Sequence, residues 1–142
     1  MDTSQTYIEM CKALTEIQNT DRLLYPGDIL GFVHTPEWHV KYSTRVLGYD
    51  MGKPGWPLQY AINNFRWSKF AVVWLPRQDQ LQFMLTGIHK DIIDLIHSFT
   101  NFAVYWRQPT STMEQLWLGL TAKELYNKWW SNNDWQLIIT AN

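Results

Sequence analysis

The sequence predicts an α+β fold, a compact domain in which an antiparallel sheet built from hairpins has helices packed on one face. Three observations lead to this prediction. Apolar residues recur with helical spacing in several segments, short strand-like runs are bounded by turn signals, and hairpins rather than helical crossovers join those runs. The 142 residues are the size of one domain, so we expect a single globular domain over 1–142.

The first half of the chain predicts a helix followed by strands. One helical face is shared by Tyr7, Met10, Cys11, Leu14 and Ile17. A Pro-Gly turn leads into a short apolar run over 29–33, and residues 38–47 then alternate between two faces, so we expect a hairpin. A short helix from 57 to 64 and a buried strand over 66–75 follow.

The second half predicts one more hairpin and then helices. The apolar run 81–85 follows a polar turn, which indicates a strand returning beside the previous one. Helical spacing is clearest from Ile88 to Trp106. A capping box at 111–114 predicts another helix. A similar box at 121–124 favours a break or kink near Leu120, with an ordinary internal Thr121 as the alternative. Residues 135–139 predict a final strand.

Composition excludes several classes of protein. A net charge of −1 and 15% aromatic residues argue against a disordered chain. No apolar run reaches the roughly 20 residues of a membrane span, and the polar start of the chain does not resemble a secretory signal. One cysteine can form neither an internal disulfide nor a cysteine-based zinc site. We expect a soluble, cytoplasmic protein with no metal and no cofactor.

Nine tryptophans are unusual in a chain of this length. An indole is large and its N–H needs a partner, so we expect some tryptophans at the surface, where they are enriched in binding hot spots. Trp129 and Trp130 are adjacent, and on a helix they would point about 100° apart. We therefore expect one of the two to face outward beside polar neighbours as the anchor of a protein interface, and we take Trp130 as the exposed residue.

A second candidate surface is the segment 41–77. It carries six Lys and Arg residues against Asp50 alone, which gives a net charge of +5, and aromatic residues are interleaved with the cations. Cations that follow phosphates and rings that stack on bases are what single-stranded nucleic-acid binding uses. The candidate binding residues of the two surfaces are Lys41, Arg45, Trp56, Arg66, Trp67, Lys69, Trp129 and Trp130.

The catalytic candidates are Cys11 and His39. The stretch Tyr25-Pro26-Gly27-Asp28-Ile29-Leu30, followed by Trp38-His39-Val40, resembles the papain-like NlpC hydrolases, in which a Pro-Gly-Asp turn leads into a strand pair that carries the catalytic histidine. The resemblance implies a Cys/His hydrolase, in a degenerate form. It departs from the family at the nucleophile, because Cys11 lies inside a predicted helix and not at a helix N-terminus.

These observations favour a non-enzymatic accessory protein that binds a macromolecule through surface aromatics, of the inhibitor, immunity or viral and phage modulator type. The first alternative is a binder of single-stranded nucleic acid or a nucleotide through 41–77. The second alternative is the papain-like hydrolase. We expect a protein partner and no membrane association, and the near-zero net charge leaves a homodimer open.

Overall fold

The computed structural model describes residues 1–34, 41–47, 55–65, 70–106 and 111–139. The predicted α+β class is confirmed, since helices accompany antiparallel strands in the described ranges. The chain divides into two compact units. We call Thr3–Pro76 the sheet unit, and Met1–Asp2 with Arg77–Asn142 the helical unit. The single domain over 1–142 stays a prediction.

The sheet unit begins with helices α1 (Gln5–Ala13) and α2 (Thr15–Gln18). Ser4 caps α1, because its Oγ accepts the N–H of Tyr7 at 3.2 Å. Leu14 has φ −83° and ψ 76°, so the one predicted helix is two helices. The apolar residues predicted to share a helical face are all buried: Tyr7, Met10, Cys11, Leu14 and Ile17.

Five strands and one helix complete the sheet unit. In chain order they are β1 (Leu23–Leu24), β2 (Ile29–His34), β3 (Lys41–Val46), β4 (Trp56–Pro57), α3 (Leu58–Phe65) and β5 (Phe70–Leu75). An antiparallel sheet has the order β3-β2-β5, and β1 pairs separately with β4. The predicted hairpin is confirmed as the β2–β3 pair. Gly27 in the turn before it has φ 92°, a conformation that glycine adopts without strain.

The predicted return strand over 81–85 is wrong, because these residues belong to helix α4 (Gln78–Leu85). The strand β5 pairs with β2 instead, with Trp74 opposite Leu30. A short apolar run fits a strand or a helix equally well. Here the start of a helix is fixed by Gln80, whose Oε1 accepts the N–H of Arg77 at 2.9 Å.

The helical unit continues with α5 (Ile92–Tyr105), α6 (Met113–Tyr126), β6 (Lys128–Ser131) and β7 (Asp134–Leu137). Helix α5 begins later than the predicted Ile88, since Asp91 caps it by accepting the N–H of Asp94 at 2.9 Å. The predicted break near Leu120 is wrong. Helix α6 is continuous there, and the Thr121 hydroxyl donates to the carbonyl of Trp117 within the helix. The predicted final strand is present as β7.

The adjacent tryptophans lie on a strand and not on a helix. Helix α6 ends at Tyr126 and is capped by Asn127, whose φ of 54° and ψ of 44° are left-handed. Trp130 pairs with Trp135 across the β6–β7 hairpin and is 4% exposed, so the prediction that it faces outward is wrong. Trp129 is half-buried, with its ring 5.5 Å from that of Phe102.

Helix α6 is buried around much of its circumference. Its buried residues include six in succession, from Trp117 to Ala122. Gly119 permits a close approach, because a Cβ at this position would lie 2.7 Å from Cζ of Phe102 and 2.7 Å from Cζ3 of Trp106. No helix in the described ranges combines the length and apolar character needed to cross a membrane.

Replacement of Gly119 by alanine should therefore destabilise the protein. We expect a loss of about 1–3 kcal/mol in the free energy of unfolding, the usual cost of overpacking, despite the better helix propensity of alanine. Urea denaturation measures the loss. Gly87→Ala is the matched control, because nothing lies within 4 Å of a Cβ there. Equal stability of the two variants would show that the rings beside Gly119 move aside freely.

Candidate functional site

The β5 edge of the three-stranded sheet is closed by side chains from the first two helices. Gln18 bonds both backbone groups of Trp74, since its Oε1 accepts the N–H at 2.8 Å and its Nε2 donates to the carbonyl at 3.0 Å. The same Nε2 donates to the carbonyl of Cys11. Further along, the Tyr7 hydroxyl donates to the carbonyl of Pro76 at 2.5 Å. These bonds satisfy the outward backbone groups of Trp74 and the carbonyl of Pro76, the residue after β5.

The β3 edge is open over the part of the chain that the structure describes. Strand β3 is last in the strand order, and no other described strand pairs with it. Five of its six residues are exposed, and Tyr42 is half-buried. The apolar residue Val46 is 60% exposed. An edge of this kind is a template to which another extended chain can add.

The backbone groups that face outward follow from the alternation of an antiparallel ladder. The N–H of Leu47 donates to the carbonyl of Asp28 at 2.8 Å, which continues the β2–β3 register by one pair. The residues of β3 that bond to β2 are therefore the odd-numbered ones. The even-numbered residues, Tyr42, Thr44 and Val46, turn their N–H and C=O groups away from the sheet.

The β5 edge supports the same assignment. Trp74 turns both of its backbone groups toward Gln18, so it does not bond to Leu30, the residue opposite it on β2. The backbone groups of Leu30 therefore face the other neighbour, where Arg45 lies opposite. The bonding at both edges therefore indicates that the backbone groups of Arg45 bond to β2, and that those of Thr44 point away from the sheet.

Two cations occupy one face of β3. Lys41 and Arg45 are both exposed. They lie four positions apart on the strand, a distance of about 13 Å between their Cα atoms. Within the described ranges, neither side chain has a carboxylate at ion-pair distance or another hydrogen-bonding partner. Their positive charge is therefore available to a ligand.

The opposite face of β3 is attached to α1 through Tyr42. The Tyr42 hydroxyl donates to Oε1 of Glu9, and Nε2 of Gln5 lies 3.4 Å from that hydroxyl. The hydrogen bond to Glu9 raises the pKa of Tyr42, and burial and the negative charge of Glu9 act in the same direction. This face of the edge therefore carries the carboxylate of Glu9, whereas the other face carries the cations Lys41 and Arg45.

The predicted binding residues fall into three groups. Lys41 and Arg45 are brought together on β3. Trp129 and Trp130 belong to the helical unit, where they are half-buried and buried. The remaining candidates lie outside the described residues or have side chains outside them: Trp56, Arg66, Trp67 and Lys69. Periodicity could not identify the open edge, because the register of β2 with both neighbours decides it.

The two catalytic candidates receive no support from the described residues. Cys11 lies within α1 at 0% exposure, so a substrate cannot reach its thiol in this conformation. Its burial on the apolar helical face agrees with the sequence pattern. His39 lies outside the described residues.

A polar cluster that the sequence did not suggest lies in the helical unit. Nε2 of His89 is 2.7 Å from Oε2 of Glu124, and the Ser98 hydroxyl donates to Oε1 of Glu124 at 2.5 Å. The other ring nitrogen of His89 is 3.5 Å from Oδ2 of Asp94. The hydrogen bond from the backbone of Lys90 lowers the pKa of Asp94, with a smaller contribution from His89.

The bonding pattern of this cluster does not match a nucleophile with its base. Ser98 bonds to Glu124 and not to His89, and a carboxylate lies beside each ring nitrogen of His89. The cluster instead ties α5 and the segment just before it to α6. Nowhere in the described ranges do three His, Cys, Asp or Glu side chains converge as metal ligands.

The link between Tyr42 and Glu9 should make the stability of the sheet unit sensitive to alkaline pH. Because the folded pKa of Tyr42 is raised, its contribution is complete below the ordinary tyrosine value near 10 and is lost as pH rises through the raised pKa. Tyr42→Phe should therefore lose less stability than wild type between about pH 9 and 12. Tyr105→Phe, at an exposed tyrosine, serves as control. Identical pH profiles for wild type and Tyr42→Phe would contradict this role.

Comparison of the chain with protein-family models, with curated proteins and with solved structures finds no match in any of the three.

Proposed function

We propose that the protein is a non-enzymatic binding module that takes up an extended segment of a partner protein as an additional strand beside β3. The observation that carries this proposal is the outward backbone of Tyr42, Thr44 and Val46 on a strand with five of six residues exposed. The accessory roles expected from the sequence, as an inhibitor, an immunity protein or a viral or phage modulator, all require the protein to hold a partner.

Backbone pairing would supply much of the affinity. Each outward residue offers one donor and one acceptor, and a net hydrogen bond contributes about 0.5–1.5 kcal/mol after exchange with water. Such pairing does not depend on the partner's side chains, so specificity comes from the side chains of β3 on its two faces. In this proposal the edge strand β3 contacts the partner, in place of the surface tryptophan that the sequence predicted.

The charges of β3 disfavour one register in which a second copy of the chain could occupy this edge. In the antiparallel two-fold register centred on Ser43, Lys41 of each copy would lie directly opposite Arg45 of the other. Like charges placed directly opposite each other destabilise a strand pair. Proteins use charged edge residues for this purpose, to prevent the edges of identical molecules from joining.

Thr44→Pro provides the test of strand addition. Proline removes the outward N–H at the centre of the edge and leaves the bonds to β2 in place, which is the position where a strand tolerates it. The probe is the neutral synthetic peptide TVQTTVQT, titrated calorimetrically. We expect Thr44→Pro to weaken binding about tenfold or more, since it loses a bond and gains a steric block. Thr44→Ala keeps the N–H and should bind nearly as well as wild type.

A stability comparison and a hydrogen-exchange measurement accompany the Thr44→Pro test. Ser43→Pro removes an N–H that bonds to β2, so it should cost more unfolding free energy than Thr44→Pro. Hydrogen exchange should show the amides of Tyr42, Thr44 and Val46 protected by the peptide. Peptide binding that is unchanged in Thr44→Pro, or no binding at all, would overturn the proposal. Steeply salt-dependent binding of oligothymidylate in place of peptide would favour the nucleic-acid alternative.

A further inference from the structure

We infer that the segment taken up at β3 is acidic, with two carboxylates four residues apart that face Lys41 and Arg45. This inference rests on the proposed strand addition and adds the chemistry of the partner. It concerns one face of the edge, where the two exposed cations lie without carboxylate partners in the described ranges.

The spacing of the carboxylates follows from strand geometry. Residues directly opposite each other on paired strands have Cβ atoms about 4.5–5.5 Å apart, and both strands advance by the same rise. Side chains opposite Lys41 and Arg45 are therefore four residues apart in the added segment and lie on the same face. The two pairs form together in a single register, so the charges also define that register.

The opposite face limits where the acidic residues can stand. Glu9 accepts the hydroxyl of Tyr42, so a carboxylate on that side of the added strand would meet a like charge. Val46, on the same side, is 60% exposed and offers apolar surface to a β-branched residue. The favoured segment thus alternates, with carboxylates facing Lys41 and Arg45 and uncharged β-branched residues facing Tyr42 and Val46.

Three synthetic peptides of equal length separate this inference from the proposed function: acidic TVETTVET, neutral TVQTTVQT and basic TVKTTVKT. Calorimetric titration of the full chain at low salt should show the acidic peptide binding about threefold to tenfold more tightly than the neutral one, as expected for two exposed ion pairs. The advantage should shrink as salt rises to about 0.5 M, whereas binding of the neutral peptide should change little.

Substitutions on β3 identify the cations responsible. Lys41→Gln and Arg45→Gln should each remove part of the preference for the acidic peptide, and the double variant should bind the acidic and neutral peptides equally. Reversal of both charges, Lys41→Glu with Arg45→Glu, should transfer the preference to the basic peptide. The control is Lys90→Gln, which removes an exposed lysine from the helical unit and should leave the preference unchanged.

The outcomes distinguish the two proposals. Equal binding of the acidic and neutral peptides by wild type would overturn the inference and leave strand addition intact. Failure of all three peptides to bind would overturn strand addition, and the inference with it. Displacement of the acidic peptide by oligothymidylate, lost in both Gln variants, would assign the two cations to phosphates and overturn the inference.

Discussion

The hydrogen bonds between the Gln18 amide and the backbone of Trp74 hold α2 against β5 in the sheet unit. A side-chain amide has one acceptor and a donor group, as a peptide unit does, so Gln18 completes one position of a strand that β5 lacks. A third bond holds the same amide to the carbonyl of Cys11. Arg22 also contacts this residue, because its guanidinium lies 4.2 Å from the centre of the Trp74 ring. The same guanidinium forms an ion pair with buried Asp28. Asp28 in turn accepts the N–H of Tyr25 in the turn that starts β2.

This contact occupies one position of the β5 edge and indicates which backbone groups of β3 point outward. Because Trp74 directs its backbone to Gln18, the alternation of bonds across β2 and β3 is set, and Thr44 is left facing outward. The direction of the Thr44 backbone groups on the β3 edge can therefore be deduced from bonding on the far side of the sheet. The exposed cations of β3 could be found from the charge of segment 41–77, but their position on an unpaired edge could not, since it depends on partners distant in sequence.

The sequence was most informative where one period extended over a long segment. The face of α1 and the β2–β3 hairpin were predictable for this reason. Short segments failed because local patterns fit two structures. Residues 81–85 form a helix once Gln80 caps its first turn. Trp130 was misplaced because helix α6 ends at Tyr126, and the strand that follows pairs it with Trp135.

The two edges of the sheet differ in the described residues. The β3 edge pairs with no further strand, and the Trp74 position of the β5 edge is bonded to Gln18. A strand can join at β3, but at the Trp74 position the hydrogen bonds that a strand on the far side of β5 would need are already occupied by Gln18. If a strand adds at β3 as proposed, the bonds of Gln18 hinder the addition of a further strand at the Trp74 position of the opposite edge. If the proposed partner exposed an unpaired edge of its own, this chain would cover that edge and would hinder the pairing of another strand at Trp74.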